Sequence, residues 1–230
     1  EVLPTRRSAE PQAEEELASE ALRSSSQRTC IAARNYLNTQ YTVDVEVDGR
    51  HFWMVPDSGS FELLVPSSNC SQCMACQPNP KSAFPEEARL VAVGDRSHRV
   101  DVAFGQGSVV TRTTNAEVRV GVLAAPAQSV LLLEEMHLAH YCDSSYDGIM
   151  GMGYRRTARD NDGELSLLSS MAIDDFSMCF GRYDADPGRL ILGGGIPGLH
   201  YAEVPVVGQR HWAVQLVSAG FRRQVAAGDE

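Results

Sequence analysis

From Tyr36 onward the chain follows a two-residue period of apolar and polar positions. YTVDVEV (41–47) alternates, Asp48-Gly49 supplies a turn, and HFWMV (51–55) comes next as the second arm of a hairpin. Further strands are predicted at ARLVAV (88–93), HRVDVAF (98–104), SVVTRTT (108–114), AEVRVGV (116–122) and SVLLLEEM (129–136). Gly and Asn punctuate these runs at short intervals, as in a sheet folded over on itself or closed into a barrel. One helix is predicted from Glu164 to Met171, with Leu165, Leu167 and Leu168 facing inward. Strands resume at DFSMCFG (175–181), GRLILGG (188–194), YAEVPVV (201–207) and HWAVQLVSAGF (211–221). No internal repeat of solenoid length is present. The pattern is that of an all-β protein with one or two short helices.

Residues 1–29 break from this pattern. They hold no aromatic residue and carry the charge run Glu14-Glu15-Glu16. Leu17, Ala21 and Leu22 fall on one face of a short helix between Pro11 and Ser24. Two readings stand for this stretch: a solvated arm, or else a pro-segment or docking strap for a partner.

The 230 residues carry a formal charge of −10, with a pI of about 5.1, which argues against a nucleic-acid or anionic-membrane surface. No run reaches the ~18 apolar residues of a membrane span. The longest candidate, Val118 to Leu133, is interrupted by Arg119, Pro126 and Gln128. The first residues lack the apolar core of a signal peptide, so the chain is expected to be cytosolic or to have lost a targeting segment.

The candidate chemistry lies in WMVPDSGSFELLVPSS (53–68). A short acid, Asp57, stands on a tight turn between two apolar runs. Gly59 lets backbone approach closely, and the hydroxyls of Ser58 and Ser60 can bond the carboxylate. Such an acid can hold a water or a hydroxyl within hydrogen-bond reach. D-S-G alone is also an ordinary turn sequence.

The order of the surrounding motifs is more specific. VPDSGSFELLVPSSNC resembles the pattern of the pepsin-like aspartic proteases, in which an apolar-Val-Pro run comes after D-[ST]-G-S. AFGQGS (103–108) is similar to the family's flap turn, YDGIMGMGY (146–154) to the signature that closes its first lobe, and FSMCFG and GRLILGG come next in the family's order. YAEVPVVGQRHWAVQL is similar to the paired strands that link the two lobes. The likeness runs from Tyr36 to about Phe221. The cysteine cluster after Val65-Pro66 and the phrase FSMCFG are closest to the nepenthesin-like and apicomplexan branches.

The resemblance implies a pepsin-like lobe, a folded double-psi-type β barrel, over residues 30–181. Inter-lobe strands and a truncated start of a second lobe would occupy 182–230, so the second lobe is expected to be largely missing. It implies a catalytic role for Asp57, with Ser60 orienting it and Gly59 shaping the turn. Phe104, Gly105, Gln106, Gly107 and Ser108 would form the flap over a peptide substrate. In the family two aspartates share a proton across a bound water. The second D-[ST]-G does not occur in these 230 residues: Asp143-Ser144-Ser145 lacks the glycine, and Asp147-Gly148 and Asp162-Gly163 lack the hydroxyl. Pro56 precedes the aspartate, Phe104 stands where the family carries Tyr, and Leu64 where many members carry Trp. The expectation is therefore a domain that is not catalytic as this chain and serves as a structural or accessory subunit. The alternative is the first part of an active endopeptidase.

Six cysteines, an even number, fit disulfides in an oxidising compartment, the secretory pathway or an organelle lumen. Cys30, Cys70, Cys73, Cys76, Cys142 and Cys179 are the candidates. The cluster Cys70, Cys73 and Cys76 lacks a fourth ligand at a metal-site spacing, and the resemblance puts a disulfide-bearing loop there. His137 and His140 at i, i+3 on a strand end do not converge with Cys142. No metal or cofactor is expected. The expected partners are protein subunits covering the inter-lobe strands, or a peptide substrate if the chain is active.

Overall fold

The structure, a computed structural model, describes residues 28–70, 72–73, 99–105, 107–138, 145–153, 166–183, 186–195, 202–208 and 211–220. The strand predicted at 88–93, most of the arm 1–29, Gln106, Cys76, Cys142 and His140 lie outside them.

Among the described residues ten strands form one sheet: β1 (Thr29–Tyr36), β2 (Gln40–Val47), β3 (Arg50–Asp57), β4 (Leu63–Pro66), β5 (Arg99–Phe104), β6 (Gly107–Val120), β7 (Leu123–Leu138), β8 (Gly148–Gly151), β9 (Phe176–Cys179) and β10 (Gly188–Leu192). Their order is β5-β6-β7-β4-β8-β3-β2-β1-β10-β9. An additional pairing, Glu46↔Arg119 and Val47↔Val118, brings β6 back onto β2. Strands β6, β7, β4, β8, β3 and β2 therefore close into a ring, and the chain is an all-β, pepsin-like barrel lobe. β5 extends the barrel at one side, and β1, β10 and β9 extend β2 at the other.

The alternation read in the sequence fills this ring. Val43, Val45 and Val47 of β2, Phe52 and Met54 of β3, and Val118 and Val120 of β6 all point into one buried cluster. The β2–β3 hairpin turns on Asp48 (φ 46°) and Gly49 (φ 75°), two left-handed residues in succession, as the right-handed strand twist favours. Asp48 is held twice: its N–H donates to Glu117 O at 2.9 Å, and its Oδ1 accepts from Glu117 N at 2.7 Å. A Cβ on Gly49 would meet nothing within 4 Å, so Gly49→Ala tests backbone strain alone. The expected loss is about 1 kcal/mol by urea unfolding; an unchanged midpoint would contradict the turn assignment.

Leu64 points away from that cluster while Leu63 and Val65 point into it. Leu64 joins Val109, Leu131, Leu133, Met136 and the Cys70–Cys73 disulfide in a second, smaller core. β4 is thus buried on both faces, which is why it reads as a continuous apolar run.

Several expectations are corrected. The predicted strands 108–114 and 116–122 are one 14-residue strand, β6, which continues through Asn115 with register shifts at Val110/Thr111 and Ala116/Val118. β1 begins at Thr29, inside the stretch assigned to the polar arm, and pairs with both β2 and β10. The described helix, α1 (Leu167–Ser170), starts after Ser166, whose Oγ caps Ser169 N, and buries Leu167 and Leu168. Among the described residues, the predicted strands 201–207 and 211–221 meet in an isolated bridge, Val206↔Val214, and form no named strand. Cys30 and Cys179 are not disulfide-bonded. They sit opposite Ile191 and Arg189 on the two flanks of β10, so two strand spacings separate them, beyond the reach of a disulfide.

Candidate active site

Asp57 is the last residue of β3, and the turn after it leads to β4. Those two strands are not neighbours, because β8 lies between them, parallel to β3 and antiparallel to β4. The D-S-G-S turn therefore crosses over the end of β8. The strand end ties down both sides of the loop: Met152 N donates to Asp57 O at 2.7 Å, and Gly151 N donates to Glu62 O at 2.9 Å. This topology explains why an acid sits on a tight turn between two core strands. Its main chain is fixed by backbone bonds that do not depend on its side chain.

The fit over β8 is close. A Cβ on Gly151 would lie 2.4 Å from Phe61 C and 2.6 Å from Glu62 N. A Cβ on Gly153 would lie 2.3 Å from the Phe61 ring, which is buried against that glycine. Gly151 and Gly153 are thus the places where the chain leaving the acid turn rests on the end of β8.

The Asp57 side chain is partly buried. Gly59 N donates to its Oδ1 at 2.8 Å, a charge-assisted bond that holds the carboxylate over its own turn. Ser60, expected to orient Asp57, does not bond it: Ser60 Oγ is buried with no hydrogen-bond partner. Pro56 removes no ladder bond toward β2, since pairing with β2 ends at Met54↔Val43.

Two residues that the sequence pattern did not single out for the site also hold it. Asp147, buried, accepts from Trp53 N at 2.8 Å through Oδ2, and its own N–H donates to Trp53 O at 2.7 Å. It locks the start of β8 to β3 four residues before Asp57. Trp212 donates from Nε1 to Met152 O at 2.9 Å. No sequence signal marked the first of these beyond its place in Y-D-G-I, and none marked the second.

Of the residues expected to form a flap, Phe104, Gly107 and Ser108 lie on the β5–β6 hairpin, where Phe104 pairs with Gly107, and Gly105 comes directly after Phe104. Gly107 (φ 146°) faces Leu138 of β7 so closely that a Cβ would meet His137 O. Ser108 lies opposite His137. Phe104 packs against the second core together with Val102, Leu138, Tyr146 and Ile149.

An acid so mounted can accept a proton from a water and keep its orientation while doing so. A closed six-strand ring whose acid turn straddles a central strand defines the lobe of an aspartic protease. The sequence model of the family described as "Eukaryotic aspartyl protease" matches residues 40–228, and the chain belongs to that family. It is 29% identical to pepsin A of Sus scrofa over 201 residues, which cover 80% of this chain and 49% of that protein. Pepsin A-5 of Mus musculus is 30% identical over 85% of this chain and 52% of its own length. Phytepsin of Hordeum vulgare is 25% identical over 83% of this chain and 39% of its own length. The chain thus spans about half or less of the relatives it matches.

Proposed function

We propose that this chain is an aspartic-protease-type lobe that mounts one carboxylate, Asp57, does not cleave peptides by itself, and serves as a structural or accessory subunit of a larger assembly. One observation carries the reading. The turn is built around a single acid, whereas the family's chemistry needs two carboxylates about 3 Å apart that share a proton. No second D-[ST]-G occurs in the 230 residues. Phe104 in place of a flap Tyr and a Ser60 hydroxyl that does not bond Asp57 support the same reading.

A partner protein fits the exposed apolar side chains of the last described segment, Val204, Val207, Val214, Leu216 and Val217. The Cys70–Cys73 disulfide favours an oxidising lumen, and its place after Val65-Pro66 favours the nepenthesin-like and apicomplexan branches. A second reading, the first part of an active endopeptidase, is favoured by the intact Gly59 N–Asp57 Oδ1 bond. Residues outside this chain would then supply the second acid, and the flap hairpin would close over a peptide.

Incubation of an acid-unfolded protein with the product of the full open reading frame that carries this chain separates the two. The wild type and Asp57→Asn are expected to be equally inactive. Cleavage that the substitution removes supports the endopeptidase.

A further inference from the structure

Residues 202–208 and 211–220 are largely exposed, and Leu216 and Val217 are 79% and 88% accessible. The segment folds back on itself through Val207 N–Ala213 O at 2.8 Å and Ala213 N–His211 O at 2.7 Å. At the tip of that fold, two consecutive side chains reach the acid turn. The His211 ring lies 5.5 Å from the Phe61 ring at 48°. The Trp212 ring stands edge-on to Phe176 at 5.5 Å and 86°, and its indole N–H donates to Met152 O.

Met152 is the link. Its N–H fixes the Asp57 carbonyl, and its own carbonyl receives Trp212, so one fully buried residue is bonded to the acid on one side and to the indole on the other. Phe61, the residue after D-S-G-S, is gripped between Gly153 and His211. The dipeptide therefore holds both strands of chain that leave the turn.

We propose that Trp212 is a positioning residue for Asp57: by holding Met152 it fixes the setting of the carboxylate turn, and His211 on Phe61 is the second point of the same clip. This rests on the Asp57 turn being the site. The segment that projects outward at Leu216 and Val217 is then mechanically joined to the acid, and whatever binds the segment acts on the turn.

The Gly59 amide is the probe, since its N–H donates to Asp57 Oδ1. Its NMR resonance and its exchange with solvent report that bond, and Asp57→Asn gives the reference for a changed acceptor. Trp212→Phe keeps the ring and deletes the N–H. A loosened turn weakens the Gly59 bond to Asp57 Oδ1, so the Gly59 amide is expected to move and to exchange roughly threefold faster or more. The amide of Val118, buried in β6, is expected to stay where it was. An unmoved Gly59 overturns the proposal, and so does an equal disturbance of Val118, which would make Trp212 merely structural.

The unmodified protein gives a second test if that variant does not fold. The Trp212 indole N–H resonance is expected to move on Asp57→Asn, and that of Trp53, the other tryptophan, much less. A Trp212 resonance unaffected by Asp57→Asn overturns the proposal. Neither readout uses peptidase activity, so a chain that cleaves peptides and a Trp212 that does nothing are separable results.

Discussion

Gly151→Ala is expected to destabilise the lobe by about 3 kcal/mol or more, the upper end of what an added methyl costs in a packed site. The reason is the identity of the atoms in the way. The new Cβ would meet Phe61 C at 2.4 Å, Glu62 N at 2.6 Å and Glu62 O at 2.7 Å, all main chain and none able to rotate aside. Relief requires lifting the turn off β8, which stretches the Gly151 N–Glu62 O and Met152 N–Asp57 O bonds together. Stability and site geometry should therefore fail in one step. Guanidinium unfolding checks this: a midpoint within about 0.5 kcal/mol of the wild type would mean that the turn does not rest on the strand.

Asp147→Ala is expected to cost about 2 to 3 kcal/mol, because it removes a charged acceptor and leaves Trp53 N without it in a partly buried strand. Asp147→Asn keeps an oxygen acceptor at the same place and is expected to cost about 1 kcal/mol. The ordering of the two matters more than either value. Equal losses in the same unfolding measurement would show that the carboxylate's charge, not an oxygen acceptor of that shape, holds the start of β8.

These residues show where the sequence was readable. The β2–β3 hairpin was legible because alternation and the Asp48-Gly49 turn agree, with no tertiary contact needed to decide the matter. Asp57 and Gly59 were legible because a short acid before glycine is a local signal. β1 was not: TCIAARNY places small Ala32 and Ala33 on a strand, and only pairing with β2 and β10 makes it one. β6 was divided in two because Thr113-Thr114-Asn115 looks like a break; the strand continues because β7 pairs with it throughout and β2 near its end. The helix is described from Leu167, after its cap Ser166, and Glu164 and Leu165 of the predicted span lie outside the described residues.

The rest of the site was hidden for a similar reason. Asp147 reaches Trp53 across 94 residues and Trp212 reaches Met152 across 60, both through backbone atoms that every residue possesses. Gly151 and Gly153 read only as part of the lobe-closing signature, and their role emerges once the turn is seen to cross β8. Ser60 was a fair inference from its hydroxyl, yet its rotamer leaves Asp57 to the Gly59 amide.

Whether half of a two-carboxylate site can act alone is decided by digestion of an acid-unfolded protein with the purified wild-type chain. Mass spectrometry would compare its products with those of Asp57→Asn and of the wild type with a statine-type inhibitor added. The same product profile is expected in all three, with no cleavage above background. Peptide products present only in the uninhibited wild type, and lost with Asp57→Asn, would contradict the proposed role.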